Sequence, residues 1–310
     1  QISEAGLSAA ADATVRALQS VETWFDESNT AGLRQHTDAF FDALTAQTAD
    51  LSDPTLRQQV ANSADVLAND LNRTVAGLDD AMRSFLDEVE ATIPSINAML
   101  DDVAGLNNAI AAAGGESMAP DLADQRDRVV RSLSETAGVT VSYDNGDATI
   151  FIGGHAAVSG GNARTLELVQ QPGVAPAIHL SSDGAAVDVT DQIGGQVGGI
   201  MSAWERTQTY LDDLDVFAKD LAIALNDQHV QGFDSNGVPG EPLFTFDIDS
   251  PAGTLTFNQN VLDDPGLLAF ASDSTALVGD GGNLEAMLGI ETSGVIGGTD
   301  TPGDFLSGLT

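Results

Sequence analysis

The sequence predicts an α+β protein, a long antiparallel helical bundle or rod with small antiparallel β modules inserted into it. Three observations carry this. From Leu56 to Ile110 apolar residues recur at alternating steps of three and four. From about residue 138 to 192 the alternation changes to period two, and from Ile200 to about Gln231 the three–four step returns. Period 3.6 marks a helix with one buried stripe, and period two marks a half-buried strand.

Residues of about 3–112 read as helix almost throughout. The first segment sets Leu7, Val15, Leu18, Val21 and Phe25 near helical spacing, and "DESNTAG" at 26–32 breaks it. The second runs from Leu33 to about Ala49 and carries Phe40, Phe41 and Leu44. Ser52 or Asp53 before Pro54 then signals a new start, because proline is tolerated in a first helical turn. The third stripe is Val60, Ala64, Leu67, Leu71, Leu78, Met82, Phe85, Val89, Ile93, Ile96, Leu100, Val103, Leu106 and Ile110, interrupted only by Thr74. At 1.5 Å per residue such a helix is on the order of 80 Å long, and a stripe of that length needs other long helices to cover it. Pro94 is expected to kink the helix or divide it in two.

"AAAGGESMAP" at 111–120 ends this part, and "DLADQRDRVVRSLSETAG" gives a short helix with Leu122, Val129, Val130 and Leu133 inward and Gly138 as its stop. "VTVSYDNGDATIFIGG" reads as strand, turn, strand, with Asn145-Gly146 suited to a two-residue type I′ hairpin. Further strands are expected at "RTLELVQ", "AIHLSS" and "AAVDVT". "GGQVGG" at 194–199 leads back into a helix with Trp204, Thr207, Leu211, Leu214, Ala218, Leu221 and Leu225 on one face, expected to pack on the Leu56–Ile110 stripe. After Phe244 come strands at "LFTFDI" and "GTLTFN", then a Gly/Asp-rich tail with a short helix near Leu284–Leu288. The expected domains are residues 1–115 with 196–231 as a long-helix domain, 116–195 as an inserted β-rich module with a short leading helix, and 232–310 as a second, truncated β-rich domain.

Composition narrows the function classes. The 310 residues carry 47 acidic against 11 basic side chains, a formal charge of −36, with Asp roughly three times as frequent as Glu and Lys219 the only lysine. So negative a surface repels phosphate backbones and anionic lipid, so nucleic acid and membrane surfaces are not expected partners. It suits solubility, including in a saline setting that screens self-repulsion. With no cysteine there is no disulfide and no thiolate chemistry. No stretch approaches the roughly 18 apolar residues of a membrane span, and the start shows no cleavable signal.

No catalytic, cofactor-binding or metal-binding residue is assigned, and no cofactor is expected. His36, His155, His179 and His229 are each alone in their local context, and no pair stands at i, i+4. "GESMA" around Ser117 imitates a nucleophile elbow but follows an alanine-rich helix end instead of a strand. The glycine-rich stretches lack G-x-G-x-x-G and G-K-[ST] spacing. Asp227, His229 and Asp234 invite a cation reading, which a cryptic hydrolase or a Ca²⁺ protein would require. However, Asp234-Ser235-Asn236-Gly237 has the Asp-first, Gly-fourth order of a type I turn, and Gly232 stands where a left-handed helix C′ residue belongs. A stop and a turn account for these residues.

One stretch also carries a family resemblance. "LNDQHVQGFDSNGVPGEPLF" (225–244) resembles the signature of the flagellar hook-associated protein 1 (FlgK) family, through Leu225, Asn226, Gln228, His229, Gly232, Phe233, Asp234, Asn236, Gly237 and Phe244. "DPTLRQQVANSADVLANDLNR" (53–73), "DLADQRDRVVRSLSE" (121–135) and "IGGQVGGIMSAWE" (193–205) are similar to family segments in the same order. The likeness spans residues of about 1–270, without the terminal segments that build the family's inner tube, so the chain reads as a piece of a longer protein. The resemblance implies a non-enzymatic, extracellular building block of the bacterial flagellum, exported by the flagellar type III route without a cleaved signal. Its implied role is the hook–filament junction. The implied partners are copies of itself in a ring, the hook protein, the second junction protein (hook-associated protein 3) and an export chaperone. The rival readings are another axial or cap protein of the flagellum, or an acidic surface adhesin.

Overall fold

The computed structural model describes residues 2–22, 32–144, 146–182, 184–275, 277 and 279–309. The chain divides into two compact units, Gln1–Ser20 with Ala81–Thr207 and Val21–Asp80 with Gln208–Thr310. Helix α1 spans Ile2–Glu22, α2 Leu33–Gln47 and α3 Pro54–Ala112. After α4 (Pro120–Ala137) come β1 (Thr140–Asp144), β2 (Asp147–Ile152), β3 (His155–Ser159), β4 (Asn162–Ala163), β5 (Thr165–Gln171), β6 (Val174–Ser182) and β7 (Ala185–Asp188). Helix α5 (Gly195–His229) follows, then β8 (Phe244–Thr245), α6 (Pro251–Thr254), β9 (Thr256–Phe257), α7 (Gln259–Asp263), α8 (Gly282–Leu288) and α9 (Pro302–Gly308). The fold is α+β, with two long helices and small antiparallel sheets.

The stripe of α3 forms as its period requires. Every residue named in it is buried except Leu106, which is half-buried, and Thr74 is buried within the same line. The division at Pro94 does not occur, and the helix is continuous through it. A proline removes one ladder hydrogen bond, and here buried Val89, Ile93 and Ile96 hold the helix on both sides of that gap. On α5, Thr207, Leu211, Leu214, Ala218, Leu221 and Leu225 are buried, while Ala203 takes the place expected of half-buried Trp204. Gln196 at the head of α5 donates to Glu88 of α3 at 2.8 Å. Further along α5, Asp215 feels the charge of Asp79, which lies further back on α3.

The first turns of helix α1 bury a different face from the one Leu7 and Val15 suggest. Leu7 and Val15 are 70 % and 57 % exposed, whereas Gly6 and Ala13 are buried. The contact is built from small residues: a side chain at Gly199 would meet Ala10 O at 2.2 Å and the Ala13 methyl at 2.9 Å. The Thr14 hydroxyl donates to Gly199 O at 3.0 Å in the same place. Backbones at this distance leave no room for leucine, so the apolar period misses this side at Leu7 and Val15, whereas Val21 is buried as expected and Leu18 is half-buried. Phe25 lies outside the described residues.

The period-two segment forms two meanders of nearest-neighbour hairpins, β1-β2-β3-β4 and β5-β6-β7, all antiparallel. Ala148, Ile150 and Ile152 alternate inward on β2, as do Ile178 and Leu180 on β6. Strands β3 and β4 are additions to the expected set. Asn145 of the expected type I′ turn lies outside the described residues, and Gly146 has φ 92°. Gly138 ends α4 in the left-handed region at φ 63°, and its N–H donates to Ser134 O at 2.9 Å.

In the other unit, Phe40 and Phe41 of α2 meet edge to face at 5.3 Å, and Phe217 of α5 stacks on Phe305 of α9 at 6.1 Å. The segment after α5 differs from a β-rich expectation. Strands appear at both expected places, but each is two residues long, and short helices and turns hold the rest. Backbone groups here are satisfied by Asx contacts instead of a ladder, as where Asn258 accepts from Asn260 N and Asp280 from Ser272 N, Asp273 N and Gly282 N.

Three helix-borne asparagines join strands to helices. Asn97 of α3 donates to Leu166 O at 3.0 Å and accepts from Leu166 N at 2.8 Å. Asn107 of α3 treats Ala148 likewise, at 2.9 and 3.0 Å, and also donates to Gly160 O at 2.8 Å. Asn226 of α5 exchanges the same pair of bonds with Phe244 at 2.8 Å each. Asn107 also accepts from Arg126 at 3.0 Å. Arg126 is itself buried; it donates to Gly146 O at 2.7 Å, pairs with Glu116 and lies over the Tyr143 ring at 5.2 Å. Asn107→Ala leaves an N–H, two carbonyls and a guanidinium donor without partners, so it is expected to cost about 3 kcal/mol, against about 1–2 kcal/mol for part-buried Asn97→Ala. Urea unfolding of the two variants measures the difference.

Candidate functional site

The stretch that drew attention in the sequence, 225–244, is the turn by which α5 becomes the following segment. Helix α5 ends in tightened turns: Gln231 N donates to Gln228 O and Gly232 N to His229 O, each at 3.1 Å. Gly232 does not take the left-handed conformation expected of it, being absent from the positive-φ glycines. It is glycine because a side chain there would strike Asn283 Nδ2 at 2.1 Å and Ala269 O at 2.4 Å. The next residue is held by backbone pairing, Phe233 N to Ala271 O at 2.8 Å and Ala271 N to Phe233 O at 3.2 Å.

His229 is fully buried, and both ring nitrogens are used by backbone. Ala269 N–H donates to Nε2 at 2.8 Å, so Nε2 carries no proton. The proton is therefore on Nδ1, which donates to Glu241 O at 2.6 Å. Burial pushes the imidazole down to about 4, against the opposing pull of the Glu241 carbonyl. His229 is thus a neutral cross-link between two loops. Beside it, Gln228 donates to Asn283 Oδ1 at 2.7 Å and Asn283 donates to Ala269 O at 2.5 Å.

Asp234 is buried and closes a four-residue turn at the place expected from its order of residues. Gly237 N donates to Asp234 O at 3.1 Å, and Asn236 N and Val238 N both donate to Oδ1 at 2.8 Å. Gly237 has φ 76°. Near this carboxylate Arg57 of α3 donates to Leu51 O at 3.1 Å and to Leu268 O at 2.8 Å, and lies 4.8 Å over the Phe270 ring. Burial lowers the guanidinium's affinity for its proton, and Asp234 raises it. Arg57 and Asn283 escape sequence reading because they lie far from residues 225–244 in the chain; their only local signals are the helix start at Pro54 and the "GDGGN" turn.

The other candidates stay apart. Asp227 is exposed and does not meet His229 and Asp234 as a set. Ser117 lies in a single 3₁₀ turn, Glu116–Met118, with no strand before it. His36 sits 3.9 Å from Asp70, His155 is exposed and His179 is half-buried in β6. Among the described residues no group of three or more His, Asp or Glu is arranged to hold a metal, and no helix is long and apolar enough to cross a membrane.

Comparison with known proteins then places the chain among the hook-associated proteins of the bacterial flagellum. Residues 18–244 match the model of the flagellar hook-associated protein FlgK helical domain, and the chain belongs to the FlgK family. It is 28 % identical over 237 residues to flagellar hook-associated protein 1 of Escherichia coli, covering 73 % of this chain and 43 % of that protein. The counterpart in Bacillus subtilis is 23 % identical over 337 residues, covering 96 % and 66 %. The flagellar hook junction protein FlgK from Burkholderia pseudomallei superposes with a TM-score of 0.66 at 26 % identity, over 79 % of this chain and 47 % of that one. The chain thus spans about half the length of most of these relatives.

Two outcomes follow from the turn. The folded imidazole titrates lower than an unfolded one, so its contribution is present above about pH 6.5 and is lost as pH falls toward about 4. His229→Leu should therefore cost about 3 kcal/mol at pH 7 and progressively less toward pH 4 in denaturant titrations. Asp234→Ala, which orphans two backbone N–H groups, should cost about 2 kcal/mol, and Asp234→Asn, which keeps one acceptor oxygen, less than half of that in the same assay.

Proposed function

We propose that the protein is a structural subunit of the flagellar hook–filament junction, acting by assembly and not by catalysis. The observation that carries this is the turn at 225–244, where the side chains of Asn226, His229 and Asp234 are spent on holding backbone together. The same stretch carries the residues that resemble the family signature and lies wholly inside the matched region, residues 18–244. A turn whose buried histidine and aspartate both serve as internal cross-links is suited to a structural part.

In this reading the residues 1–115 with 196–231 form the load-bearing helical domain. The segments 116–195 and 232–310 form attached domains facing outward. The partners are further copies of the chain in a ring, the hook protein and the second junction protein, with an export chaperone before secretion. The site of action is extracellular, on the flagellum, reached by the flagellar export route. The charge of −36 fits a subunit bathed in external medium and keeps it away from nucleic acid and anionic membrane.

Complementation tests this. The full-length parent protein, expressed in a motile bacterium lacking its junction protein, is expected to restore filaments and swimming. Continued release of unpolymerised flagellin into the medium, with the parent protein secreted at normal levels, contradicts the assignment.

A further inference from the structure

Strand β1 is an unguarded sheet edge. It pairs only with β2, and it is the outer strand of β1-β2-β3-β4. Asp144 faces Asp147 across a two-residue connection, so that pair exchanges both of its backbone bonds, and by alternation so do Ser142 with Thr149 and Thr140 with Phe151. The N–H and C=O of Val141 and Tyr143 therefore point outward. Natural sheets blunt such edges with proline, bulges, charge or brevity. The other edges of the two sheets show these devices: β4 has two residues, β5 carries a register shift and the Asn97 amide on Leu166, and β7 has four residues ending in Asp188. Strand β1 has no proline and no register shift, and no charge before its last residue.

The edge also borders a groove of about 720 Å³, whose walls are Ser3 and Ala5 of α1, Asp127 and Arg131 of α4, and Val139, Thr140 and Val141. The two charged side chains in it are not equivalent. The Asp127 carboxylate accepts the Tyr143 hydroxyl at 2.9 Å, and partial burial, helped by this bond, pushes the phenol up to about 12. Arg131 is exposed and has no ion pair among the described residues, although Asp127 stands four residues before it. The groove thus offers one free guanidinium beside two free backbone positions.

From this geometry we infer that the groove between α4 and β1 receives an extended, acidic segment of a partner protein. The segment adds to β1 as a fifth strand, bonding Val141 and Tyr143 through its backbone and Arg131 through a carboxylate. The chain's overall negative charge works against an acidic partner at long range, so the contact depends on short-range pairing and should tighten as salt screens that repulsion.

The test uses the isotope-labelled 310-residue chain and a blocked peptide, Glu-Val-Thr-Val-Glu, followed by amide shifts and amide exchange. Binding is expected to move and protect the Val141 and Tyr143 amides. Arg131→Glu, a surface change that leaves the fold intact, should weaken it at least tenfold. Val141→Pro removes an outward donor without touching a β1–β2 bond and should abolish it. A peptide with Lys in place of Glu should bind at least tenfold more weakly. The inference is overturned if saturating peptide leaves both amides unmoved. It is equally overturned if Val141→Pro binds like the parent, or if the Lys peptide binds as tightly as the Glu peptide.

Discussion

The rest of this structure depends on a side-chain amide doing the work of a strand. Asn97, Asn107 and Asn226 each give one strand residue a donor and an acceptor, the same two groups that a neighbouring strand would supply. Buried backbone polar groups must be paired, and the sheets here are too small to pair all of their own. An asparagine fixed on a long helix solves this at the point where strand and helix meet. It also fixes the strand's position along the helix to within a hydrogen bond, which apolar contact alone does not do. His229 applies the same principle between two loops, with its single proton on Nδ1 deciding which backbone group each nitrogen meets.

Legibility in the sequence follows the range of the interaction. The stripes of α3 and α5 were readable because burial on a long helix is a local, periodic property, and almost every position named on them is buried. The turn at 234–237 was readable because Asp-first and Gly-fourth chemistry acts over four residues. On helix α1 the period holds at Val21 but fails at Leu7 and Val15, because the interface there is made of Gly6, Ala10 and Ala13 against backbone, where the signal is the absence of a side chain. Gly232 was assigned to the right place for the wrong reason, since its constraint is Asn283, fifty-one positions on in the chain. None of the three asparagine pairs was read, because an asparagine on a helix looks like a solvated residue until the strand it meets is known.

The same physics explains why the stretch most suggestive of chemistry carries none in its geometry. A neutral histidine with two committed nitrogens has no lone pair for a metal and no proton to transfer. A carboxylate that accepts two backbone N–H groups closes a turn. In a chain of the FlgK family these are the residues that keep the end of a long helix and the following segment in one arrangement.

The most direct test of the amide pairing is native-state hydrogen exchange at three amides: Leu166, Ala148 and Phe244. The account predicts that each exchanges as slowly as the buried stretches of α3 and α5 that hold its asparagine, and that replacing that asparagine by alanine speeds the one amide selectively. Exchange at these three as fast as at the exposed ends of their strands, with no change on substitution, would contradict it.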